Sequence, residues 1–561
     1  MTEGIFKILS SVLTISSLAF GLNQSAQASV ALTANKAALV QTQSGPVRGQ
    51  LSESGAVQVW LGIPFAQPPT GERRWQAPKP LLPWTKELQA NAYGSACPQL
   101  GGLYGPPLAG KKWGLSNAET FGKPVGQEDC LKLNIWRPSN SSEPMPVIVF
   151  VHGGSNVSGH GSDPLYDGQK LALATHAVIV TINYRLGIFG WFAHPSLEGN
   201  GAVSDSGNYA ALDIIQALRF VHANAAAFGG DPKNITLMGQ SAGAGNTYIL
   251  MGSPLAQGLF QKAIVLSGLI EHKSPKQDGY AYVDKFMSQM MIDDHLATTL
   301  EEAAKVAASK SLSWKHDYLK SKTADQLLNV IALHKELFRS PHGFNDGVVL
   351  SDNLPADIQQ GRIPMVPMIV GSTREESKLL FSVGYKVSGQ QLFDRVLKSD
   401  PNAAPSTKMS DLVAPYFLAD LTPSLFNTMH WGISTYLQRK LSKDLAILPK
   451  HNAKVYAYRF DWDNAPEPWH TFYGACHACD LPFIFGNFSN NFFSMESSQQ
   501  NRTGREALSA SMMSAISAFI RTGNPNNPKL RTSWKPLGNE AGNQQRLIFD
   551  ATDQDAVLSM Q

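Results

Sequence analysis

The chain has 561 residues, 43% of them hydrophobic and 16% charged, with a formal net charge of +3. That balance permits a sizeable folded core, and the small charge, with no basic run, argues against nucleic acid or an anionic membrane surface as the main partner. The 47 Gly and 34 Pro are scattered rather than repeated, so they mark turns between many elements and not a low-complexity linker.

Residues 1–28 read as an export signal. Lys7 gives a short positive start, weakened by Glu3; Ile8 to Leu22 is apolar, and Ala26-Gln27-Ala28 is the small-x-small pattern a signal peptidase needs. An apolar stretch of about 15 residues is short for a membrane anchor. The expectation is a chain exported to the periplasm or secreted, starting near Ser29, with no membrane span after cleavage. Export lets cysteines pair, but Cys97, Cys130, Cys476 and Cys479 allow three pairings and spacing alone does not choose among them.

Further along, Pro146 to His152 (PVIVFVH) and Ala177 to Tyr184 (AVIVTINY) are almost wholly apolar, as strands buried on both faces are. Asn208 to Ala227 carries Leu212, Ile215, Leu218, Phe220 and Val221 at helical spacing, and Phe228-Gly229-Gly230-Asp231-Pro232 stops it. Ile235 to Met238 and Ala263 to Leu266 predict two more strands. Buried strands alternating with helices predict an α/β fold with a mostly parallel sheet covered on both faces. The middle, Ile270 to Leu337, is helical in pattern without a readable motif. It fits an insertion over one end of the sheet or a roof over a substrate gorge.

The chemistry sits at the strand ends. Gly239-Gln240-Ser241-Ala242-Gly243 places a serine between a buried strand and a helix start, which is the pattern of a nucleophile elbow. The following helix points its N-terminal amides at the site and favours developing negative charge. A glycine-lined structural serine is the competing reading, and the strand–turn–helix context decides against it. His152-Gly153-Gly154-Ser155-Asn156 leaves another buried strand, and its backbone can aim N–H groups at a carbonyl oxygen together with the amide of Ala242. A serine nucleophile needs a base oriented by an acid. His430, His451, His470 and His477 follow in the expected chain order, and the small residues around His477 suit an exposed loop before Asp480-Leu481-Pro482-Phe483. Spacing does not locate the acid.

These runs, with others in the same order, resemble the type-B carboxylesterase and cholinesterase family of the α/β-hydrolase superfamily. The matching segments are Gly62-Ile63-Pro64-Phe65-Ala66, Glu128-Asp129-Cys130-Leu131, Asn183-Tyr184-Arg185-Leu186-Gly187, Gly207-Asn208-Tyr209, Ile369-Val370-Gly371, Gly474-Ala475-Cys476-His477 and Arg521-Thr522-Gly523-Asn524-Pro525. The resemblance implies an α/β-hydrolase fold with helical insertions over an active-site gorge, a single catalytic domain over residues 29–561, and no cofactor. It implies a Ser241, His477, Glu376 triad, an oxyanion hole at Gly154, Ser155 and Ala242, and a disulfide between Cys97 and Cys130. It leaves Glu375 as a solvated surface carboxylate. Gly153, Gln240 and Ser267 take supporting places, Ser267 hydrogen-bonding near the triad.

Three departures narrow the implied substrate. Gln240 stands where the family usually has Glu, which removes a negative charge beside the triad. Ser155 replaces the usual Gly or Ala. Trp113 lies in the loop between Cys97 and Cys130 but out of register with the choline-binding Trp of cholinesterases. Choline esters are therefore not the expected substrate; other small or bulky carboxylic esters are. Cys476-His477-Ala478-Cys479 lacks a fourth metal ligand and any thioredoxin-like context, so a structural disulfide, and no metal, is the expectation. The rival functions are a catalytically silent interaction protein and an amidase or acyl transferase on the same fold. Oligomeric state is not readable.

Overall fold

The apolar runs of the sequence become neighbouring strands of one large sheet. The structure, a computed structural model, describes residues 38–108, 110–270, 273–338, 340–415, 422–449, 454–538 and 545–561; the expected export signal, residues 1–28, lies outside them. Among the described residues the sheet takes in β1 (Gln50–Leu51), β2 (Val57–Pro64), β3 (Lys132–Pro138), β4 (Met145–Val151), β5 (Val178–Ile182), β6 (Gly230–Gln240), β7 (Lys262–Leu266), β8 (Met368–Thr373), β9 (Val455–Phe460), β10 (Leu547–Ala551) and β11 (Ala556–Met560). Their spatial order is β11-β10-β9-β8-β7-β6-β4-β5-β3-β2-β1. From β5 through β4 to β10 every pairing is parallel, and the outer pairs are antiparallel. The sheet is therefore mixed, with a parallel centre.

The continuous apolarity of β4 has a direct cause. Val147, Val149 and Val151 point into one core cluster, while Ile148 and Phe150 point into the other, on the opposite face. Each such side chain contributes about 1.5–3 kcal/mol when fully buried, so both faces require apolar residues. Helix α1 (Tyr209–Asn224) covers the first face through Leu212, Ile215 and Leu218, and ends in a 3-10 turn, Ala225–Phe228, so the predicted helix closes a few residues early. After β6 comes α2 (Ala242–Met251).

The helical middle resolves into α3 (Lys276–Asp293), α4 (Leu300–Ser309), α5 (Leu312–Lys320) and α6 (Ala324–Leu333). Thr299, Ser311 and Thr323 cap the last three by accepting backbone N–H groups. These helices build a cluster of their own around Phe286, Met287, Leu327 and Ile331, joined to the rest through Trp75, Phe192 and Tyr209. Two long helices follow, α7 (Thr422–Ile447) and α8 (Arg502–Thr522), the latter packing Leu508, Met512, Ile516 and Phe519 on the second face. Among the described residues no helix is long and apolar enough to cross a membrane. Disulfides join Cys97 to Cys130, with Cα atoms 4.9 Å apart, and Cys476 to Cys479, 5.3 Å apart.

Candidate active site

Strand β6 ends at Gln240 and α2 begins at Ala242, so the whole reversal falls on Ser241. Its backbone sits at φ 56°, ψ −121°, a left-handed region that costs a non-glycine residue roughly 1–3 kcal/mol. The turn is held by the Ser241 N–H, which donates to Leu266 O at 2.8 Å, and by the Gly245 N–H, which donates to Ser241 O at 3.0 Å. It is also too tight for side chains: a Cβ on Gly239 would lie 2.2 Å from Gly243 O, and one on Gly243 would lie 2.1 Å from Val151 O. The motif's two glycines are thus required by close approach of β6, α2 and the end of β4.

The loop leaving β4 bends the same way, with Gly154 at φ 98°, Ser155 at 54° and Asn156 at 57°. Among the described residues none of the amides of Gly154, Ser155 and Ala242 donates to a protein acceptor, and all three border the position of Ser241. Side chains that the sequence reading left without roles fix this loop. Asn246 Nδ2 on α2 donates to Asn156 Oδ1 at 2.8 Å, the Tyr184 hydroxyl donates to His152 O at 2.9 Å, and the Gly187 N–H donates to Asn156 O at 2.7 Å. The Asn183-Tyr184-Arg185 run was visible in the sequence, but its partners lie too far along the chain to be read from it.

The four candidate histidines separate by location. His430 on α7 is tied to Ser377 Oγ and Val383 O, His470 bonds Asp463 O, and His451 lies outside the described residues. His477 lines the pocket that contains Ser241. Its Nδ1 lies 2.5 Å from Glu376 Oε2, and Glu376 Oε1 accepts the Thr373 N–H at 2.8 Å. Burial works to raise the Glu376 carboxyl, but the His477 imidazole, its hydrogen bond, the neighbouring Ser267 hydroxyl and the Thr373 N–H outweigh it, holding the group below the usual carboxylate range. Ser267 follows β7 with φ 53°, beside Glu376 and His477. Its buried hydroxyl neighbours the Glu376 carboxyl but meets no partner in hydrogen-bonding geometry among the described residues, so the hydrogen bond that the resemblance implied for it is not formed here.

The other ring nitrogen is engaged differently. His477 Nε2 lies 3.3 Å from Gln240 Nε2, so the buried amide N–H donates to it, and among the described residues no hydrogen bond joins it to Ser241 Oγ. The free site therefore rests the imidazole on Gln240. In the direction of Glu375 the structure corrects the sequence reading: that carboxylate is largely buried and bonded to the loop bearing His477, not solvated at the surface.

The pocket is a cleft open to solvent, with a cavity volume of about 110 Å³. Tyr104, Leu165, Tyr166, Leu379, Leu380 and Phe493 supply its apolar and aromatic wall, Asp163 also lines it, and among the described residues none of the lining is Arg or Lys. Among the described residues none of the lining belongs to α3–α6. Ser155 is exposed and faces this space. Trp113 does not: it packs edge-on against Phe393, with ring centroids 5.6 Å apart. Burial holds His160 neutral, with its ionisation pushed down to about 3. Sγ of Cys476 and Cys479 and a carboxylate oxygen of Glu496 lie within 4.8 Å of one another, but the disulfide occupies both sulfurs and leaves no thiolate for a metal.

The model of one family, the carboxylesterase family, matches residues 36–558. The para-nitrobenzyl esterase of Bacillus subtilis (strain 168) is 34% identical over 519 residues, covering 91% of this chain and 95% of that protein. An acetylcholinesterase of Bungarus fasciatus is 29% identical over 516 residues, covering 87% and 79%. Among solved structures, the Geobacillus stearothermophilus carboxylesterase EST55 at pH 6.2 superposes with a TM-score of 0.68 at 27% identity, covering 93% of this chain and 98% of that one.

Proposed function

The chain belongs to the carboxylesterase family and is a serine carboxylesterase of α/β-hydrolase fold, and from that premise we propose that it works through a triad of Ser241, His477 and Glu376. In this reading His477 takes the proton of Ser241 as the hydroxyl attacks an ester carbonyl. Glu376 keeps the Nδ1–H tautomer and stabilises the imidazolium that forms. The amides of Gly154, Ser155 and Ala242 hold the oxyanion, and water then attacks the acyl-enzyme along the reverse proton path. The observation that carries the proposal is the convergence of Ser241 at its strained elbow with the His477–Glu376 pair, 2.5 Å apart, in one pocket.

We read the substrates as non-choline carboxylic esters, bulky ones included. The cleft is open and its wall largely apolar, which suits a small-molecule ester. With Trp113 packed elsewhere and Gln240 neutral, neither feature offers a cation a partner. A fluorophosphonate should label Ser241 stoichiometrically, and matched ester and anilide substrates should be cleaved with a strong preference for the ester. A protein that hydrolyses aryl esters without taking the label would overturn the assignment of the nucleophile.

The contact between Gln240 and His477 makes a separate prediction. Gln240→Glu places a carboxylate against the imidazole and favours its protonated form. A protonated imidazole cannot act as a base, so the acid limb of the pH profile of kcat/KM should move to higher pH by about one unit. A limb that stays in place would show that Gln240 does not face the working base.

A further inference from the structure

Glu375, Lys378 and the chain before His477 form a unit that the triad itself does not explain. Resting on the reading of His477 as the base, we propose that the buried ion pair of Glu375 and Lys378 is a positioning device: it clamps the loop presenting His477 against the strand end presenting Glu376. Neither residue touches the reacting atoms; both act through the loop.

The contacts run in register. The Glu375 N–H donates to Ala475 O at 2.9 Å, and the Ala475 N–H donates back to Glu375 Oε2 at 3.0 Å. Glu375 and Cys476 form a parallel β-bridge, and the His477 N–H donates to Lys378 O at 3.3 Å. Thus Glu375 and Lys378, which bracket Glu376 in the sequence, hold the backbone from Ala475 to the His477 N–H. The side chains close the same circuit. Lys378 Nζ bonds Glu375 Oε1 at 2.6 Å and donates to Thr471 O at 3.1 Å, reaching back along the same loop. The Lys378 side chain is 2% exposed and that of Glu375 20%, so this is no solvated surface pair. Arg374 completes the cluster, bonded to Asp463 and 3.4 Å from Glu375 Oε2.

Gly474 shows how closely the carboxylate is fitted. At φ 54° it already requires a left-handed turn, and a Cβ there would fall 1.9 Å from Glu375 Oε2. Burial works to raise Glu375, but Lys378, Arg374 and the Ala475 N–H more than reverse it, so the carboxylate stays ionised and keeps its acceptor oxygens. The disulfide from Cys476 to Cys479 restrains the far side of the same turn. Held between these two fixtures, the imidazole has little freedom relative to Glu376, and positional precision of this kind is worth large rate factors.

Removing Glu375 alone would strand the buried ammonium of Lys378 and could prevent folding for that reason only. The decisive variant therefore replaces both charges with apolar groups of similar size, Glu375→Leu with Lys378→Met, which leaves no unpaired charge. Its kcat on a simple aryl ester should fall by about ten- to a hundredfold, with KM within twofold and the thermal midpoint close to wild type. The second-order rate of fluorophosphonate labelling should fall by the same factor. A double variant with wild-type kcat and labelling rate would overturn the inference while leaving the triad standing. So would a variant in which lost activity only tracks a lost fraction of folded protein, since that is the behaviour of a structural pair. A wild-type chain that neither hydrolyses the ester nor takes the label would instead remove the reading of Ser241 on which the inference rests.

Discussion

Ser241→Ala is expected to lower kcat for an aryl ester by about a millionfold, close to 8 kcal/mol of transition-state stabilisation, with the thermal midpoint unchanged. The size follows from the proposed role of Ser241 as nucleophile: in that reading, without the hydroxyl no acyl-enzyme forms and only the proposed oxyanion donors and binding remain. The unchanged stability follows from the local structure. Ser241 is the N-cap of α2, yet its side chain makes no capping bond, so alanine loses no hydrogen bond there. The strained φ of 56° is equally costly for both residues. Ser241→Gly separates the two effects: glycine relieves the backbone strain and should stabilise the fold by about 1 kcal/mol while remaining inactive. Strain of this sort, kept at the position of the reactive group, places its side chain clear of strand and helix. Residual turnover within a hundredfold of wild type in the alanine variant would require another nucleophile.

The sequence disclosed those parts whose constraints are local. Strand β4 could be read because both faces are buried and every residue in it must be apolar; β6, Ser241 and α2 could be read because the turn demands glycine at fixed offsets. Side-chain partnerships across long stretches of chain were not legible. Gln240 meets His477 across 237 residues, and Asn156 meets Asn246 across 90, with no local pattern to announce either. Glu375 is the instructive failure. A pair of adjacent glutamates beside arginine and lysine has the look of a solvated segment, and only the return of residues 463–475 over it buries the pair and converts the charges into contacts. The helical middle stayed undecided in a related way. Its amphipathic patterns fix four helices but not the direction they face, and among the described residues the pocket wall comes from Tyr104, Leu379, Leu380 and Phe493 instead.

The neighbouring glutamates also make the second large effect testable, since one is proposed to act on the imidazole and the other on its loop. Glu376→Gln should lower kcat by about ten-thousandfold with little change in KM. Glutamine fills the same volume, and one end of its amide can still accept the Thr373 N–H that now bonds Glu376 Oε1 at 2.8 Å. The other end would meet His477 Nδ1, which lies 2.5 Å from Glu376 Oε2. An NH2 there is satisfied only by an unprotonated Nδ1, which moves the ring proton to Nε2, the nitrogen proposed to receive the proton of Ser241. The variant thus holds the imidazole in place in the wrong tautomer, and the loss falls on kcat. Stability adds an independent sign. The Glu376 carboxyl is held below its ordinary range in the folded chain, so its ionised form contributes stability that is present above that range and lost as the pH falls through it. Glutamine cannot supply this contribution, so the gap in thermal midpoint between wild type and variant should be widest at neutral pH and close toward acid. A variant retaining kcat within tenfold of wild type would move the orienting role away from Glu376. Glu375 could not inherit it, because its carboxylate oxygens are engaged by Lys378, Arg374 and the Ala475 N–H, on the backbone side of the same loop.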